Sequence, residues 1–347
     1  KILTILPYKE NYTKSKAQAA AIWVHDFLKF SRFKKETLII GNTNSKSYLS
    51  NNYLNINIDN LGSKFSSSTF RYCNRIIKSI QNISYDLIEI HNRPLVFDYL
   101  KKSLNKKFIL YFHNDPLSMK GSSSKNERLN LLNRVDKIIF VSKWVQKRFF
   151  IGLDQKLLNK TEVVYPSINK IKKFPKKNKW ITFVGKLNSS KGYDIYKDAI
   201  LKILDEFKDW TALSIGDESR DRPHIKHVRH KEIGFKTHKE VLKILSKTKI
   251  AVVPSRWEEP FGRTALESGS RGCATIISNR GGLPETVPHS LKLEKLDSLN
   301  LYKKIKYLIT NYKFRKKIQT NSFRDVIHTV KENSNLIDNI RESIFFK

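Results

Sequence analysis

Residues 249–278 read KIAVVPSRWEEPFGRTALESGSRGCATIIS, and their pattern decides the fold. KIAVVPS is strand-length, apolar and β-branched, and it stops at Pro254 and Ser255. CATIIS is a second such run. A polar loop and a segment with helical spacing lie between them, so the stretch reads strand, helix, strand. Neither run alternates polar with apolar residues, which is the pattern of strands buried on both faces in a parallel sheet flanked by helices. Pro260 fits a first helical turn, which would put the N–H groups of Phe261, Gly262 and Arg263 at a helix N-terminus, a natural seat for phosphate oxygens. Glu259 then precedes the helix and Glu267 lies about two turns inside it. Either Glu267 is a solvated helix acid and Glu259 an acid favoured by the positive helix end, or both reach different parts of one extended ligand. Gly269 and Gly272 predict a short helix.

The same strand-and-helix alternation runs outward in both directions. KILTIL, ETLIIG, YDLIEIH, KKFILYFH, KIIFVS and TEVVYP come first, then KWITFVG and TALSIG before the quoted stretch. Between TEVVYP and KWITFVG lies PSINKIKKFPKKNKW, residues 166–180, which is polar, basic and broken by two prolines. The expected organisation is therefore two α/β doubly wound domains, residues 1–168 and 175–330, with a helix over 331–347 that could return to either. Such domains carry ligands at the carboxyl ends of their strands, and two of them are expected to face one central cleft.

Composition sets the class. The 347 residues are 39% hydrophobic and 11% aromatic, enough for two packed cores and unlike a disordered chain. No apolar run reaches the ~20 residues of a membrane span, and KILTILPYKENYTKSK lacks the apolar core of a secretory signal, so a cytoplasmic protein is expected. Cys73 and Cys273 lack the spacing of a disulfide framework or a zinc site. The formal charge of +34 suggests a polyanionic partner: nucleic acid, an anionic membrane face or a phosphorylated substrate. The lysines are scattered, and no zinc-finger, RRM or helix-turn-helix signature accompanies them, so no nucleic-acid partner is expected. FRYCNRIIKSIQNI, residues 70–83, reads equally as a helix lying on an anionic bilayer, giving peripheral membrane contact, or as a plain core helix.

The chemistry-bearing residues follow strands. Lys186 and Lys191 in GKLNSSKGY could clamp a diphosphate and neutralise charge on a leaving group, or stand as solvated lysines. Gly281 and Gly282 in NRGGLPETV allow a tight turn or a close approach. His113 in YFHNDP and His91 in EIHNRP each end a strand, and the expected position of His113 at the cleft edge raises it above a structural histidine.

Together FVGKLNSSKG, VVPSRWEEPFGRTALESGSRGCATIIS and RGGLPETV resemble the retaining glycosyltransferases of family 4, the glycosyl transferases group 1 family with the GT-B fold, most strongly over residues 180–290. YFHNDP, FVSKWVQKRF and VVYPSIN extend the resemblance into the first half. It implies that Glu259 and Glu267 are the family's E-x7-E pair, with Glu267 on the ribose hydroxyls and Glu259 on the transferred sugar. It also implies that Lys186 and Lys191 hold the donor diphosphate, that the amides of Phe261, Gly262 and Arg263 approach sugar and phosphates, and that His113 meets the transferred sugar. HKEIGF, residues 230–235, would lie near the nucleobase. The glycine pair that the family has after its first strand is missing; Ser15, Lys16 and Ala17 stand in a glycine-free loop.

The expected activity is transfer of a hexose-type sugar, with retention, from a UDP- or GDP-linked donor to a glycan or lipid-linked acceptor, as in cell-surface polysaccharide or lipopolysaccharide synthesis. With no carboxylate evident as a dedicated nucleophile, front-face displacement is the expected course. Lysines and helix amides would do the electrostatic work, with no metal and no further cofactor. The rivals are a basic nucleic-acid-binding protein and a sugar-nucleotide epimerase or hydrolase on the same two-domain plan.

Overall fold

A computed structural model describes residues 1–14, 17–45, 47–58, 67–218, 223–325 and 329–346. Of the glycine-free loop, Ser15 and Lys16 lie outside the described residues. The chain divides into two units, residues 1–167 with 330–347, and residues 168–329.

In the first unit the apolar runs become β1 (Ile2–Ile5), β2 (Thr37–Gly41), β4 (Leu87–His91), β5 (Lys107–Phe112), β6 (Lys137–Phe140) and β7 (Thr161–Val163). A short strand, β3 (Tyr53–Asn55), joins at the edge, and the order is β3-β2-β1-β4-β5-β6-β7. All pairings are parallel. In the second unit the strands are β8 (Asn178–Val184), β9 (Thr211–Ile215), β10 (His230–Gly234), β11 (Thr248–Val253), β12 (Ala274–Ser278) and β13 (Leu291–Leu293), in the order β10-β9-β8-β11-β12-β13 and again all parallel. Both sheets reverse strand order beside their first strand, as doubly wound Rossmann-like sheets do, and each buries its central strands under helices. HKEIGF thus forms an edge strand as well as a loop.

Glu89, in the middle of the buried strand LIEIH, needs an explanation, because an unpaired buried carboxylate is costly. The Val330–Phe345 helix supplies it. It packs on the Ala19–Leu28 helix of the first unit, and its Arg341 donates to both Glu89 oxygens, Nε to Oε1 at 2.8 Å and Nη2 to Oε2 at 2.7 Å. Thr4 and Tyr111 hydroxyls donate to the same carboxylate at 2.8 and 3.0 Å. Arg341 Nη1 also reaches Asp338 at 3.2 Å, and Asp338 accepts from the Ser31 hydroxyl and the Arg32 amide.

The Ser68–Ile80 helix decides between the two readings of residues 70–83. Its apolar stripe, Tyr72, Cys73, Ile76 and Ile80, is buried in the first unit, and Phe70, Arg75 and Lys78 face outward. It is a core helix, so the bilayer reading loses the stripe it relied on. No helix among the described residues is long and apolar enough to cross a membrane.

Candidate functional site

In the second unit the site is built where β8 and β11 end. The chain leaves β8 at Val184 and makes a single turn over Ser189–Lys191. That turn docks on the loop after β11: the Ser190 carbonyl accepts from the amides of Arg256 and Trp257, each at 3.0 Å. Arg256 reinforces the contact through a two-pronged ion pair with Asp194, at 2.6 and 2.8 Å. The docking brings Lys191 Nζ to Glu259 Oε1 at 2.5 Å, across 68 positions of sequence. Ser255, the residue that ends the apolar run, donates its hydroxyl to the same oxygen at 3.0 Å.

Lys191, Ser255 and Glu259 line an open cavity of about 230 Å³ together with Gly262, Arg263 and Thr264. The helix that borders it runs Arg263–Ser270. It therefore starts three residues later than a Pro260 start requires, which corrects the sequence-based placement. Gly262 sits at φ +102°, outside helical space, where a Cβ would come within 2.3 Å of Leu283. The first helical amides are thus those of Arg263 and Thr264, while the Phe261 side chain turns into the core. Glu267 lies one turn inside the helix rather than two. Phe261, Lys186 and Glu267 are not among the cavity's lining residues, and Lys186 is exposed.

Glu267 is buried, and its Oε1 accepts from His238 Nε2 at 2.9 Å and Arg263 Nε at 3.0 Å. Burial pushes its carboxyl up, but the His238 hydrogen bond and the Arg263 guanidinium outweigh that, so it lies below the ordinary carboxylate range and is ionised. It therefore reaches the cavity through Arg263, which it orients. Sequence reasoning missed His238 and Ser255. The Thr237–Glu240 capping box was the signal that could have placed His238 at the head of a helix.

The glycine pair holds Glu259 in place. Gly281, at φ +57°, passes so close that a Cβ would stand 2.2 Å from the Glu259 carbonyl oxygen, and the Gly282 amide donates to that oxygen at 2.6 Å. Both readings of the pair meet here: a left-handed turn and a close backbone approach.

In the first unit His113 follows β5. Its ring Nε2 is 2.8 Å from His91 Nδ1, and its backbone amide donates to Asn92 Oδ1 at 2.8 Å. Burial pushes His113 down to about 3, so the ring is neutral at neutral pH. In the glycine-free loop, Glu10 Oε2 accepts from the Ala21 amide at 3.2 Å, so the chain's own carboxyl sits at the N-terminus of the Ala19–Leu28 helix. Burial raises Glu10 to about 6, against the pull of the Ala21 and Ala20 amides and Arg93. From its ordinary 4.5 up to about 6, Glu10 is then protonated in the fold and ionised in the unfolded chain. Stability of this unit is expected to fall across that window as pH rises, by no more than about 2 kcal/mol. Urea unfolding at a series of pH values should show the fall in the parent protein and not in Glu10→Gln; an identical slope in both removes Glu10 as its source.

Among the described residues no three His, Cys, Asp or Glu side chains cluster as a metal site. The glycosyl transferases group 1 family model matches residues 165–325. An uncharacterized glycosyltransferase of Methanocaldococcus jannaschii is 30% identical over 294 residues, covering 79% of this chain and 81% of that protein. The chain belongs to the glycosyl transferases group 1 family. YtcC of Bacillus subtilis, named as a glycosyltransferase, is 25% identical over 262 residues, 66% of this chain and 64% of its own length. The chain thus matches less than two thirds of that relative. Among solved structures, Anabaena HepE in complex with UDP-glucose superposes with a TM-score of 0.79 at 16% identity, covering 99% of both chains. A Rickettsia africae glycosyltransferase gives 0.75 at 17%, covering 99% of this chain and 98% of that one. The fold class is GT-B, as the family resemblance implies.

Proposed function

We propose that the protein is a retaining glycosyltransferase of family 4 that moves a hexose-type sugar from a nucleotide diphosphate sugar to a glycan or lipid-linked acceptor, in cell-surface polysaccharide or lipopolysaccharide synthesis. The observation that carries this reading is the Lys191–Glu259–Ser255 cluster on a cavity shared with Arg263 and the first amides of the Arg263–Ser270 helix. The structural likeness to HepE in complex with UDP-glucose favours UDP over GDP as the nucleotide. In this reading Lys191, with Lys186 from the same loop, meets the diphosphate and stabilises charge on the leaving group, with no metal required. Glu259 holds a hydroxyl of the transferred sugar, and Glu267 takes the ribose hydroxyls from its Arg263-bound position. His113 contacts the transferred sugar as a neutral ring. The departing phosphate oxygen accepts the acceptor's proton, so the new bond forms on the face the leaving group vacates. The net charge of +34 supports attraction to an anionic membrane face that carries the acceptor.

A thermal-shift series with UDP, GDP, ADP and CMP tests the donor side. A ligand at 100 times its Kd stabilises by about 2.7 kcal/mol, a readily measured rise in Tm. UDP is expected to give the largest shift. If none of the four moves the transition, the donor assignment fails; radiolabelled sugar transfer to lipid or oligosaccharide fractions then separates transfer from hydrolysis or epimerisation.

A further inference from the structure

We propose that His91 is a positioning residue: its Nδ1–H donates to His113 Nε2 and fixes His113 as the Nδ1–H tautomer, so that His113 can meet the sugar only as a hydrogen-bond donor. The sugar contact rests on the reading of His113 given above; the tautomer does not.

The argument starts from the sheet. β4 and β5 pair His91 with Tyr111, so His113, two residues on, lies on the same face and its ring meets His91 diagonally. His91 stacks on Tyr111 with ring centroids 4.3 Å apart and planes 8° from parallel. Trp23 presses on both imidazoles, at 5.5 Å from His91 and 5.4 Å from His113. Asn92, held at φ +57°, takes the His113 backbone amide. Ring and backbone of His113 are thus both held from the end of β4.

One proton lies between the two rings, and burial decides its owner. Burial, then His113 and Arg341, keep His91 well below its ordinary range, so both rings are neutral and each carries one N–H. His91 Nε2 is buried and has no hydrogen-bond partner among the described residues. Were His113 Nε2 the donor, the proton of His91 would sit on that Nε2 as a buried N–H with no acceptor, the rarer and costlier kind of orphan. With the proton on His91 Nδ1, only a lone pair is left unpaired at Nε2. His113 Nε2 is then the acceptor and its own proton sits on Nδ1, for which the described residues provide no bond.

Long-range proton–nitrogen correlation spectra of histidine-labelled full-length protein read the tautomer directly. The parent protein is expected to show His113 protonated at Nδ1. His91→Asn should preserve that state, because its amide N–H falls where Nδ1–H was; His91→Leu removes the donor, so the Nε2 lone pair loses its partner and the ring its fixed orientation. In transfer assays His91→Leu should lose roughly tenfold or more in kcat with unchanged nucleoside diphosphate affinity, and His91→Asn should recover most of it. An Nε2–H tautomer of His113 in the parent protein overturns the proposal, whether or not either variant folds. If the parent protein shows the Nδ1–H tautomer and His91→Leu leaves kcat unchanged, the hydrogen bond stands and the sugar contact of His113 falls.

Discussion

Replacing Lys191 with alanine is expected to lower sugar transfer on the order of tenfold to several hundredfold while leaving the fold intact. Lys191 Nζ makes a 2.5 Å ion pair with Glu259 in a cavity wall, and the two side chains are only 30% and 15% exposed. A charge-assisted contact to a diphosphate in such a place contributes roughly 1.5–3 kcal/mol, and more as the leaving group gains charge. Each 1.4 kcal/mol is about a factor of ten in rate. A plain surface lysine would change activity or stability by no more than about 0.5 kcal/mol, so the two cases separate cleanly. Lys186 is exposed and outside the cavity lining, so Lys186→Ala should act in the same direction and less strongly. Glu259→Gln should keep nucleotide binding and lose turnover, because a contact that tightens in the transition state appears in kcat. Calorimetric titration with nucleoside and nucleoside diphosphate, beside steady-state transfer, checks all three. Diphosphate binding as tight in both lysine variants as in the parent would take the loop out of the donor site.

The reason Lys191 reaches Glu259 shows how much of the site was legible. All ten apolar runs became strands, because a strand buried on both faces leaves an unbroken hydrophobic signature. The three strands that went unread are edge strands: Tyr53–Asn55 and Leu291–Leu293 are three residues long, and His230–Gly234 is half polar. One-sided exposure removes the signature there. Strand ends located the loops that carry Lys191, Glu259 and His113, since loops at the carboxyl edge have no pattern of their own but their position follows from the strands. What sequence could not give were the contacts between loops. The Ser190 carbonyl that seats Arg256 and Trp257, and the Glu259 carbonyl that Gly282 engages, are backbone groups identical in every residue. The start of the Arg263–Ser270 helix was misplaced for a related reason. Proline at a first turn is a preference, whereas glycine at φ +102° against Leu283 is a steric requirement, and the requirement prevails. Glu267 illustrates a third limit: sequence shows a carboxylate on a helix, and only the fold shows that Arg263 and His238 converge on it.

Arg341→Met is expected to destabilise the first unit by about 3–5 kcal/mol, the cost of leaving buried charge unpaired. Arg341 and its partners Glu89 and Asp338 are all 0% exposed, so neither carboxylate can turn to water when the guanidinium goes. Thr4 and Tyr111 would still donate to Glu89, but two neutral hydroxyls do not replace a two-pronged cation. The same arithmetic makes the bridge itself a modest net stabiliser, since desolvating three charges offsets much of their attraction. A double replacement, Arg341→Met with Glu89→Gln, should therefore recover a substantial part of the loss, and the double-mutant cycle should show a coupling well above 1 kcal/mol. Denaturant unfolding followed at Trp23, which is buried in this unit, reads the effect. The consequence extends to the histidine pair, because Tyr111 donates to Glu89 and stacks on His91. A cost under about 1 kcal/mol for Arg341→Met would mean that water reaches the carboxylates, and the C-terminal helix would then be held to the first unit by its apolar face and by the contacts of Asp338 with Ser31 and Arg32.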